Sequence, residues 1–217
     1  FRELEAEEKR VVVGNDLSPT KIGLTMGEVV RHINEFKADD AILVTDVGQH
    51  QMVAWRYFEY KTTRTQVTSG GLGTMGFSLP AALGAQLHDY SREVICVVGD
   101  GGIQMTIQEL GAIMQTKAPV KVVLLNNNFL GMVRQWQQLF FDKRYSFTEL
   151  DNPDFIKIAE AYNFKVQKVD ERADLRQAVA EMFVHDGPYF LEVKVEKEDN
   201  VFPMIATGSS VEEVRLK

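Results

Sequence analysis

The sequence predicts an α/β domain with three layers, α/β/α, around a central six-stranded and mainly parallel sheet. Two observations lead to this fold class. Apolar segments rich in β-branched residues alternate along the chain with helical segments. Two of them, residues 94–98 (VICVV) and 122–125 (VVLL), are apolar without alternation, which is typical of central strands covered by helices on both faces. With 217 residues and 45% hydrophobic content, the chain is long enough to bury one large core.

The elements follow in a regular order. Residues 1–24 include the turn-rich segment GNDLSPTKIG and are predicted to be an interdomain linker, with the domain itself over residues 25–217. Thr25 and Glu28 have the spacing of a capping box, so a helix is predicted to start after Thr25. Helical segments then separate six predicted strands at residues 41–46, 66–68, 93–98, 121–126, 165–169 and 189–195.

Two further helix starts are predicted from polar residues near the ends of these strands. Asn152 is expected to cap a later helix that has Pro153 at its first position. Asp46 is a candidate cap for the helix that begins near Gln49. The apolar stripes of the later helical segments NPDFIKIAEAY and ADLRQAVAEMF are interpreted as packing rather than chemistry.

Composition excludes several classes of function. The net charge is −7 without a lysine or arginine run, so no nucleic-acid partner and no anionic membrane surface is expected. Cys96 is the only cysteine and lies in an apolar run, which favours core packing in a reducing, cytoplasmic setting. No apolar stretch approaches the roughly 20 residues of a membrane span. The chain lacks an initiator Met and starts with a charged segment rather than a signal peptide, so a piece of a longer protein is expected.

Glycines and polar residues gather after three of the predicted strands. The segments are residues 46–50 (DVGQH), 69–76 (SGGLGTMG) and 99–102 (GDGG). Ligands of parallel sheets bind outside the carboxyl ends of the strands, where glycines allow close approach of the main chain. Amide groups at a helix start favour an anion such as phosphate. The alternative is that these glycines only form tight turns, as Asp-Gly pairs often do.

A carboxylate beside a phosphate requires a cation between them, and Asp100 is the carboxylate in question. Mg²⁺ prefers hard oxygen ligands and takes a few of them from protein. The next strand ends in Asn126, Asn127 and Asn128, and Asn127 stands 27 positions after Asp100, the length of one strand–helix–strand unit. The two strand ends are therefore expected to be neighbours. A Rossmann site fits poorly, since G-x-G-x-x-G is absent after this strand, and no Walker lysine motif occurs.

GDG followed by NN after such a spacer resembles the metal and diphosphate motif of thiamine diphosphate enzymes. The longer strings TDVGQHQM, TSGGLGTMGFSLPAALGAQ, NNNFLGMVRQWQQLF, NPDFIKIAEAY and VFPMI are similar to those of the acetolactate synthase (acetohydroxyacid synthase) catalytic subunit family. The resemblance runs from about Thr25 to near the C-terminus. It implies the C-terminal, thiamine diphosphate-binding domain of a three-domain chain whose preceding domains are absent here.

The resemblance also implies roles for individual residues. Asp100, Asn127 and the main-chain oxygen of Phe129 correspond to Mg²⁺ ligands. Met75 corresponds to the residue that holds the two cofactor rings folded towards each other, and Trp136 to a residue that favours a larger second substrate. The implied cofactor-binding set is Val47, Gly48, Gln49, His50, Gly73, Met75, Gly99, Asp100, Gly101, Gly102, Asn127, Phe129, Leu130, Gly131, Met132 and Val133. Without the resemblance, Met75, Met132 and Trp136 are as readily core residues.

The implied reaction is decarboxylation of pyruvate followed by condensation of the two-carbon unit with pyruvate or 2-oxobutyrate, a step of branched-chain amino acid biosynthesis. The general acid/base glutamate of the family belongs to the missing N-terminal domain, so no catalytic residue is assigned here and the fragment is expected to be inactive alone. FAD, a homodimer or homotetramer, and a regulatory small subunit are implied for the full-length protein. Two alternatives remain: a related enzyme such as a pyruvate oxidase or 2-oxo acid decarboxylase, and a non-catalytic nucleotide-binding module.

Overall fold

The computed structural model describes residues 2–20 and 23–217 of the chain. Its strands are β1 Ile42–Thr45, β2 Gln66–Thr68, β3 Val94–Gly99, β4 Lys121–Asn126, β5 Lys165–Val169 and β6 Tyr189–Lys194. Its helices are α1 Arg2–Glu8, α2 Gly14–Leu17, α3 Met26–Phe36, α4 Gln49–Tyr57, α5 Ser78–His88, α6 Asp100–Met105, α7 Glu109–Thr116, α8 Gly131–Phe140, α9 Phe155–Ala161 and α10 Arg172–Val184, with π-helical residues Lys9–Val13 between the first two. None of the helices in this part of the chain has the length and apolar character that crossing a bilayer demands.

The six strands form one sheet in the order β2-β1-β3-β4-β6-β5, and every strand pairing among the described residues is parallel. The predicted α/β fold with a six-stranded sheet is confirmed. The chain builds outward from β1 to β2 and then crosses back to place β3 on the other side of β1. This reversal of winding direction leaves a crevice at the carboxyl ends of β1 and β3, where ligands of open parallel sheets bind.

Two apolar layers cover the two faces of the sheet. Side chains of α3, α4 and α10, such as Val29, Val53 and Leu175, pack on one face. Side chains of α5, α7 and α9 pack on the other face, where Cys96 is fully buried and free as predicted. Because strands β3 and β4 are covered on both faces, nearly all of their residues are buried. This core fixes the strand ends that carry the polar residues.

The predicted helix starts agree with the structure at one place and differ at two. Thr25 caps α3 and forms the capping box with Glu28. Helix α9 is capped by Asp154, two residues later than expected, so the prediction for Asn152 was wrong. Asp46 does not cap α4 either: Gly48 holds the N-cap position without a side-chain bond. The difference arises because both side chains are bonded elsewhere. Asp46 bonds His50 and the Gly76 amide, and Asn152 bonds Asp100 and Asn126.

The N-terminal segment is more ordered than a turn-rich linker. Residues 2–17 form α1, the π-helical residues and α2 in succession, and the Asp16 main-chain oxygen accepts a hydrogen bond from Thr25 Oγ1 at 2.5 Å. Lys21 and Ile22 of the expected turn lie outside the described residues. The helical conformation corrects the expectation of irregular structure, while the role of residues 1–24 as a connector between domains stays a prediction.

Candidate functional site

The carboxyl ends of β1, β3 and β4 enclose a cleft with about 610 Å³ of empty space, its open mouth included. The strands lie side by side in the sheet, so their polar ends are brought to one edge. The residues that line the cleft are Met26, Val47, Gly48, Gln49, His50, Met75, Gly99, Asp100, Gly101, Gly102, Leu125, Asn127, Phe129, Leu130, Gly131, Met132 and Val133.

Three helices start at the wall of this cleft. Helix α4 starts at Gln49, α6 at Asp100 and α8 at Gly131, each directly after a strand end or the loop that follows it. The first-turn amides of a helix have no intrahelical acceptor, and the helix dipole adds positive potential at that end. The convergence of three such starts favours an anionic group in the cleft.

The glycines of the cleft allow the surrounding elements to approach closely. A β-carbon on Gly99 would lie 2.8 Å from His50 Nδ1, and one on Gly101 would lie 2.6 Å from Leu130 Cδ2. Either atom would have to displace its neighbour, because such distances are well below van der Waals contact. The glycines of the GDGG segment are therefore required by packing at the site, which goes beyond a simple turn.

Asp46 holds His50 and the glycine-rich loop together. Both side chains are buried, and His50 Nε2 donates to Asp46 Oδ1 at 2.5 Å. The second carboxylate oxygen of Asp46 accepts from the Gly76 amide at 2.8 Å. Because Asp46 is bonded to Nε2, the imidazole is fixed in orientation at the cleft wall. These bonds explain why Asp46 does not serve as a helix cap.

Among the described residues that line the cleft, Asp100 is the one carboxylate, and it is almost completely buried, at 1% exposed. Burial raises its pKa above the ordinary value, while a hydrogen bond from Asn152 opposes that shift. A buried carboxylate is unfavourable unless it is hydrogen-bonded or neutralised by a cation. Asn152 already bonds this carboxylate, and a cation in the cleft would neutralise its buried charge as well, so the residue suits a metal ligand.

The three asparagines at the end of β4 turn the chain back towards Asp100. Asn126 Oδ1 accepts from the Asn128 amide at 3.1 Å, and Asn127 Oδ1 accepts from the Phe129 amide at 3.1 Å. Asparagine side chains commonly bond the backbone two residues ahead in this way. Asn128 itself has a positive φ of 57°, which asparagine tolerates better than most residues. The double turn directs Asn127 and Phe129 into the cleft, on the side occupied by Asp100.

The oxygens available here fit a magnesium ion. Within the described ranges no group of three or more His, Cys, Asp or Glu side chains is placed to hold a metal. Asp100 would contribute a carboxylate oxygen, and the carbonyl oxygens of Asn127 and Phe129 would add neutral ligands. Mg²⁺ takes few protein ligands of this hard type and completes its shell with phosphate and water. The donor set suits a cation that arrives together with a phosphate group.

Most of the residues singled out from the sequence meet in the cleft. Every member of the implied cofactor-binding set lines it except Gly73, which lies on the exposed glycine-rich loop with a positive φ of 63°. Trp136 is also outside: it is 37% exposed on α8 and stacks on Phe140 with ring centroids 4.8 Å apart. The structure thus brings together the residues predicted to bind a diphosphate and a metal, and it leaves Trp136 at the periphery.

Gln49 is buried at the cleft and both ends of its amide are bonded to protein. Its Nε2 donates to Gln135 Oε1 at 3.0 Å and to the Asp199 main-chain oxygen at 2.8 Å. Its Oε1 accepts from Asn127 Nδ2 at 3.3 Å. In this arrangement the side chain links the strand end of β4 to the C-terminal segment. A role in contacting a diphosphate stays a prediction for this residue.

Sequence reasoning missed three residues of the site. Leu125 and Met26 line the cleft, and Asn152 bonds Asp100 Oδ2 at 2.6 Å. Leu125 could have been predicted from the sequence, because it is two positions before Asn127 and side chains of a strand alternate between its faces. The position of Met26 depends on how α3 packs beside α4, and that of Asn152 depends on the long loop after α8, so neither had a local signal.

Comparison with known proteins supports the family that the sequence motifs resemble. The family described as "Thiamine pyrophosphate enzyme, C-terminal TPP binding domain" matches residues 46–193. The large subunit of acetolactate synthase isozyme 2 from Escherichia coli (strain K12) is 44% identical over 190 residues, covering 87% of this chain and 35% of that protein. The acetolactate synthase large subunit of Lactococcus lactis is 46% identical over 188 residues, covering 86% and 32%. The chain therefore spans about a third of the length of these curated relatives.

A solved structure supports the fold and the family. The thiamine diphosphate-dependent 4-hydroxybenzoylformate decarboxylase of Rhodococcus jostii RHA1 superposes with a TM-score of 0.76 at 27% identity, covering 83% of this chain and 34% of that chain. The family match begins at Asp46, directly after β1, and runs through β2 to β6 with the polar strand ends that form the cleft. The chain belongs to the thiamine pyrophosphate enzyme family, as its C-terminal TPP-binding domain.

Proposed function

We propose that the cleft binds the diphosphate of thiamine diphosphate through a Mg²⁺ ion held by Asp100, Asn127 and the main-chain oxygen of Phe129. The observation that carries the proposal is the convergence of three helix starts on a cleft with a single buried carboxylate. The helix starts favour an anion, and the carboxylate favours a cation beside it. A diphosphate chelated to magnesium satisfies both.

The remaining cleft residues would bind and orient the rest of the cofactor. Met75 is half-buried in the wall and approaches the first turn of α6, where its Cε lies 3.3 Å from the position of a β-carbon on Gly101. It is placed to give apolar support to a ring system lying over that turn. His50, held by Asp46, would contact the anionic group from the cleft wall. Thiamine diphosphate itself supplies the electron sink for decarboxylation of a 2-oxo acid.

We further propose that the full-length protein is an acetolactate synthase large subunit, which condenses a two-carbon unit from pyruvate with a second 2-oxo acid. The support is the identity of 44% and 46% with proteins of that name across almost the whole chain. Branched-chain amino acid biosynthesis, a cytoplasmic location, FAD elsewhere in the protein, a homodimer or homotetramer and a regulatory small subunit are part of the same proposal.

The catalytic acid/base is proposed to come from outside this chain. The described residues that line the cleft include no glutamate. Val133, which lines the cleft, is 49% exposed, and two other large apolar side chains are exposed on loops: Leu72 of the glycine-rich loop at 95% and Phe147 of the loop after α8 at 100%. Exposed apolar groups of this size are typical of surfaces that another domain or subunit covers. On this proposal the chain holds and orients the cofactor, and a further domain completes the site and excludes water.

The decisive experiment measures cofactor binding and reaction products in the full-length protein. Calorimetry with thiamine diphosphate is expected to detect binding only when Mg²⁺ is present, and Asp100→Asn is expected to abolish it. Asp151→Asn, the same change at an exposed aspartate, serves as the control and should bind normally. Binding without metal, or a preference for NAD, would instead favour a non-catalytic nucleotide-binding module.

The alternative enzyme is a related 2-oxo acid decarboxylase or pyruvate oxidase, and the likeness to the Rhodococcus decarboxylase is the observation in its favour. Incubation of the full-length protein with pyruvate distinguishes the two. Acetolactate as the product supports the synthase. Acetaldehyde or acetyl phosphate as the product contradicts it while leaving the cofactor site intact.

A further inference from the structure

Asn152 lies beside the carboxylate of Asp100 and does not cap the helix that follows it. Its Nδ2 donates to Asp100 Oδ2 at 2.6 Å and approaches Asn126 Oδ1 at 3.2 Å. Helix α9 is capped by Asp154, whose Oδ1 accepts from the Lys157 amide at 3.1 Å. The amide of Asn152 is therefore available for the strand ends.

A second hydrogen bond orients the Asn152 amide. Gln104, one turn after Asp100 on α6, donates from Nε2 to Asn152 Oδ1 at 3.0 Å and to the Asp100 main-chain oxygen at 3.0 Å. With its oxygen bonded to Gln104, the amide group presents its nitrogen to the carboxylate. Asn126 is in turn anchored by donating from Nδ2 to Glu192 Oε1 at 2.7 Å. The network connects the carboxyl ends of β3, β4 and β6.

Asn152 reaches Asp100 from outside the cofactor cleft. It lines a separate polar cleft together with Asn126, Glu192 and Lys194, and it is not among the residues that line the first cleft. Its hydrogen bond holds one carboxylate oxygen of Asp100, Oδ2, from that side, while Asp100 itself also lines the first cleft. Because the donor is a neutral amide, it fixes the carboxylate without cancelling the charge that attracts a cation.

We propose that Asn152 is a positioning residue for the metal ligand Asp100, setting the rotation of its carboxylate so that one oxygen faces the Mg²⁺ position. The proposal rests on the proposed function, since it needs the metal to bind at Asp100. Ligating carboxylates are commonly held by hydrogen bonds of this kind, and loss of such a partner typically costs about 10- to 100-fold in metal affinity. Gln104 acts behind Asn152 by holding its amide.

The experiment titrates Mg²⁺ into the full-length, metal-free protein with saturating thiamine diphosphate and follows cofactor binding by calorimetry. In Asn152→Ala the Mg²⁺ concentration at half-binding is expected to rise by about 10- to 100-fold. Asp154→Ala, which removes the true cap of the same helix, is the matched control and should keep the wild-type midpoint. At saturating Mg²⁺ the affinity of Asn152→Ala for thiamine diphosphate should return to the wild-type value, which general structural damage would not allow.

Each outcome decides the question. A wild-type midpoint in Asn152→Ala overturns the inference, and so does tighter metal binding, which would mean that the amide competes with the ion. Binding without Mg²⁺ in the wild-type protein overturns the proposed function itself and is recognised by appearing before any substitution. If circular dichroism finds Asn152→Ala unfolded, Gln104→Ala takes its place: a raised midpoint supports the inference and an unchanged one overturns it.

Discussion

Gly131→Ala tests whether the first residue of α8 must be glycine because of the site packed against it. Gly131 has no positive φ, so alanine is allowed by the backbone. A β-carbon there would meet the Gln49 amide, with its Cδ at 2.8 Å, and would lie 2.9 Å from Asn127 Nδ2. The substitution would separate Asn127 from Gln49, whose hydrogen bond measures 3.3 Å.

The expected change in the free energy of unfolding follows from three terms. Replacing glycine by alanine in a helix contributes up to about 1 kcal/mol of stability. Forcing an extra carbon into a closely packed region costs about 1–3 kcal/mol. Leaving a buried donor or acceptor unpaired costs about another 1–3 kcal/mol, and Gln49 and Asn127 are both buried, each at 3% exposed. The net expectation is destabilisation by roughly 1–5 kcal/mol.

A matched control has the same chemistry and the opposite expected sign. Gly84 lies inside α5, and a β-carbon there would have no atom of the described residues within 4 Å beyond those of its own helix and chain neighbours. Gly84→Ala should therefore stabilise the protein by up to about 1 kcal/mol. Both variants are compared with the wild-type protein by urea unfolding, and thiamine diphosphate binding with Mg²⁺ is measured in parallel. Cofactor affinity should fall in Gly131→Ala alone, because Asn127 is displaced.

The reasoning is refuted if Gly131→Ala is as stable as Gly84→Ala and binds the cofactor normally. That result would mean that Gln49 and Asn127 can move aside without cost, and that the glycine at the start of α8 is not required by the site. Loss of stability with unchanged cofactor affinity would contradict only the link between Asn127 and the metal.

Two further predictions concern the charge of the site and the start of α3. Burial raises the pKa of Asp100 in the folded, metal-free protein above its ordinary value of 3.8. Between the ordinary and the raised pKa, the folded state therefore binds more protons than the unfolded state. The stability of the wild-type protein falls as the pH rises through that range. Asp100→Asn removes this loss. In urea unfolding, the free energy of unfolding of the variant relative to that of the wild type should therefore be higher at pH 7 than at pH 3. A difference between the two proteins that does not change with pH would contradict the argument. Thr25→Ala removes the capping box and the bond to the Asp16 main-chain oxygen and should cost about 1–2 kcal/mol in urea unfolding. Thr25→Ser should keep most of that stability, and equal values for the two variants would disprove the cap.

The meeting of Asp100 and Asn127 in one cleft was predictable from the sequence because both residues directly follow strand ends. Asp100 comes immediately after β3 and Asn127 immediately after β4. In a parallel sheet, neighbouring strand ends meet at one edge whatever the details of the connecting helices. The spacing of the two residues was therefore sufficient to expect them in one cleft.

The partners of those residues were not predictable by the same reasoning. Asn152 reaches Asp100 across 52 positions, and Gln49 reaches Gln135 across 86. Their rotamers and hydrogen bonds depend on how separate loops pack against each other, and no local pattern records that. The same limit explains the error at α9: asparagine followed by proline is a common helix start, yet here the amide of Asn152 is bonded to the strand ends and Asp154 caps the helix.

The amino-acid sequence by itself determined the parallel α/β sheet, the sheet edge at which the cleft lies, and the presence of a carboxylate and an amide at adjacent strand ends. These follow from local propensity and from the geometry that all parallel sheets share. Only the tertiary structure decided which residues bond the side chains of Asp100 and Asn127. It also decided that Gly73 and Trp136 lie outside the cleft and that residues 2–17 are helical. Such features are set by contacts between segments distant in sequence, where packing and hydrogen bonding outweigh local preference.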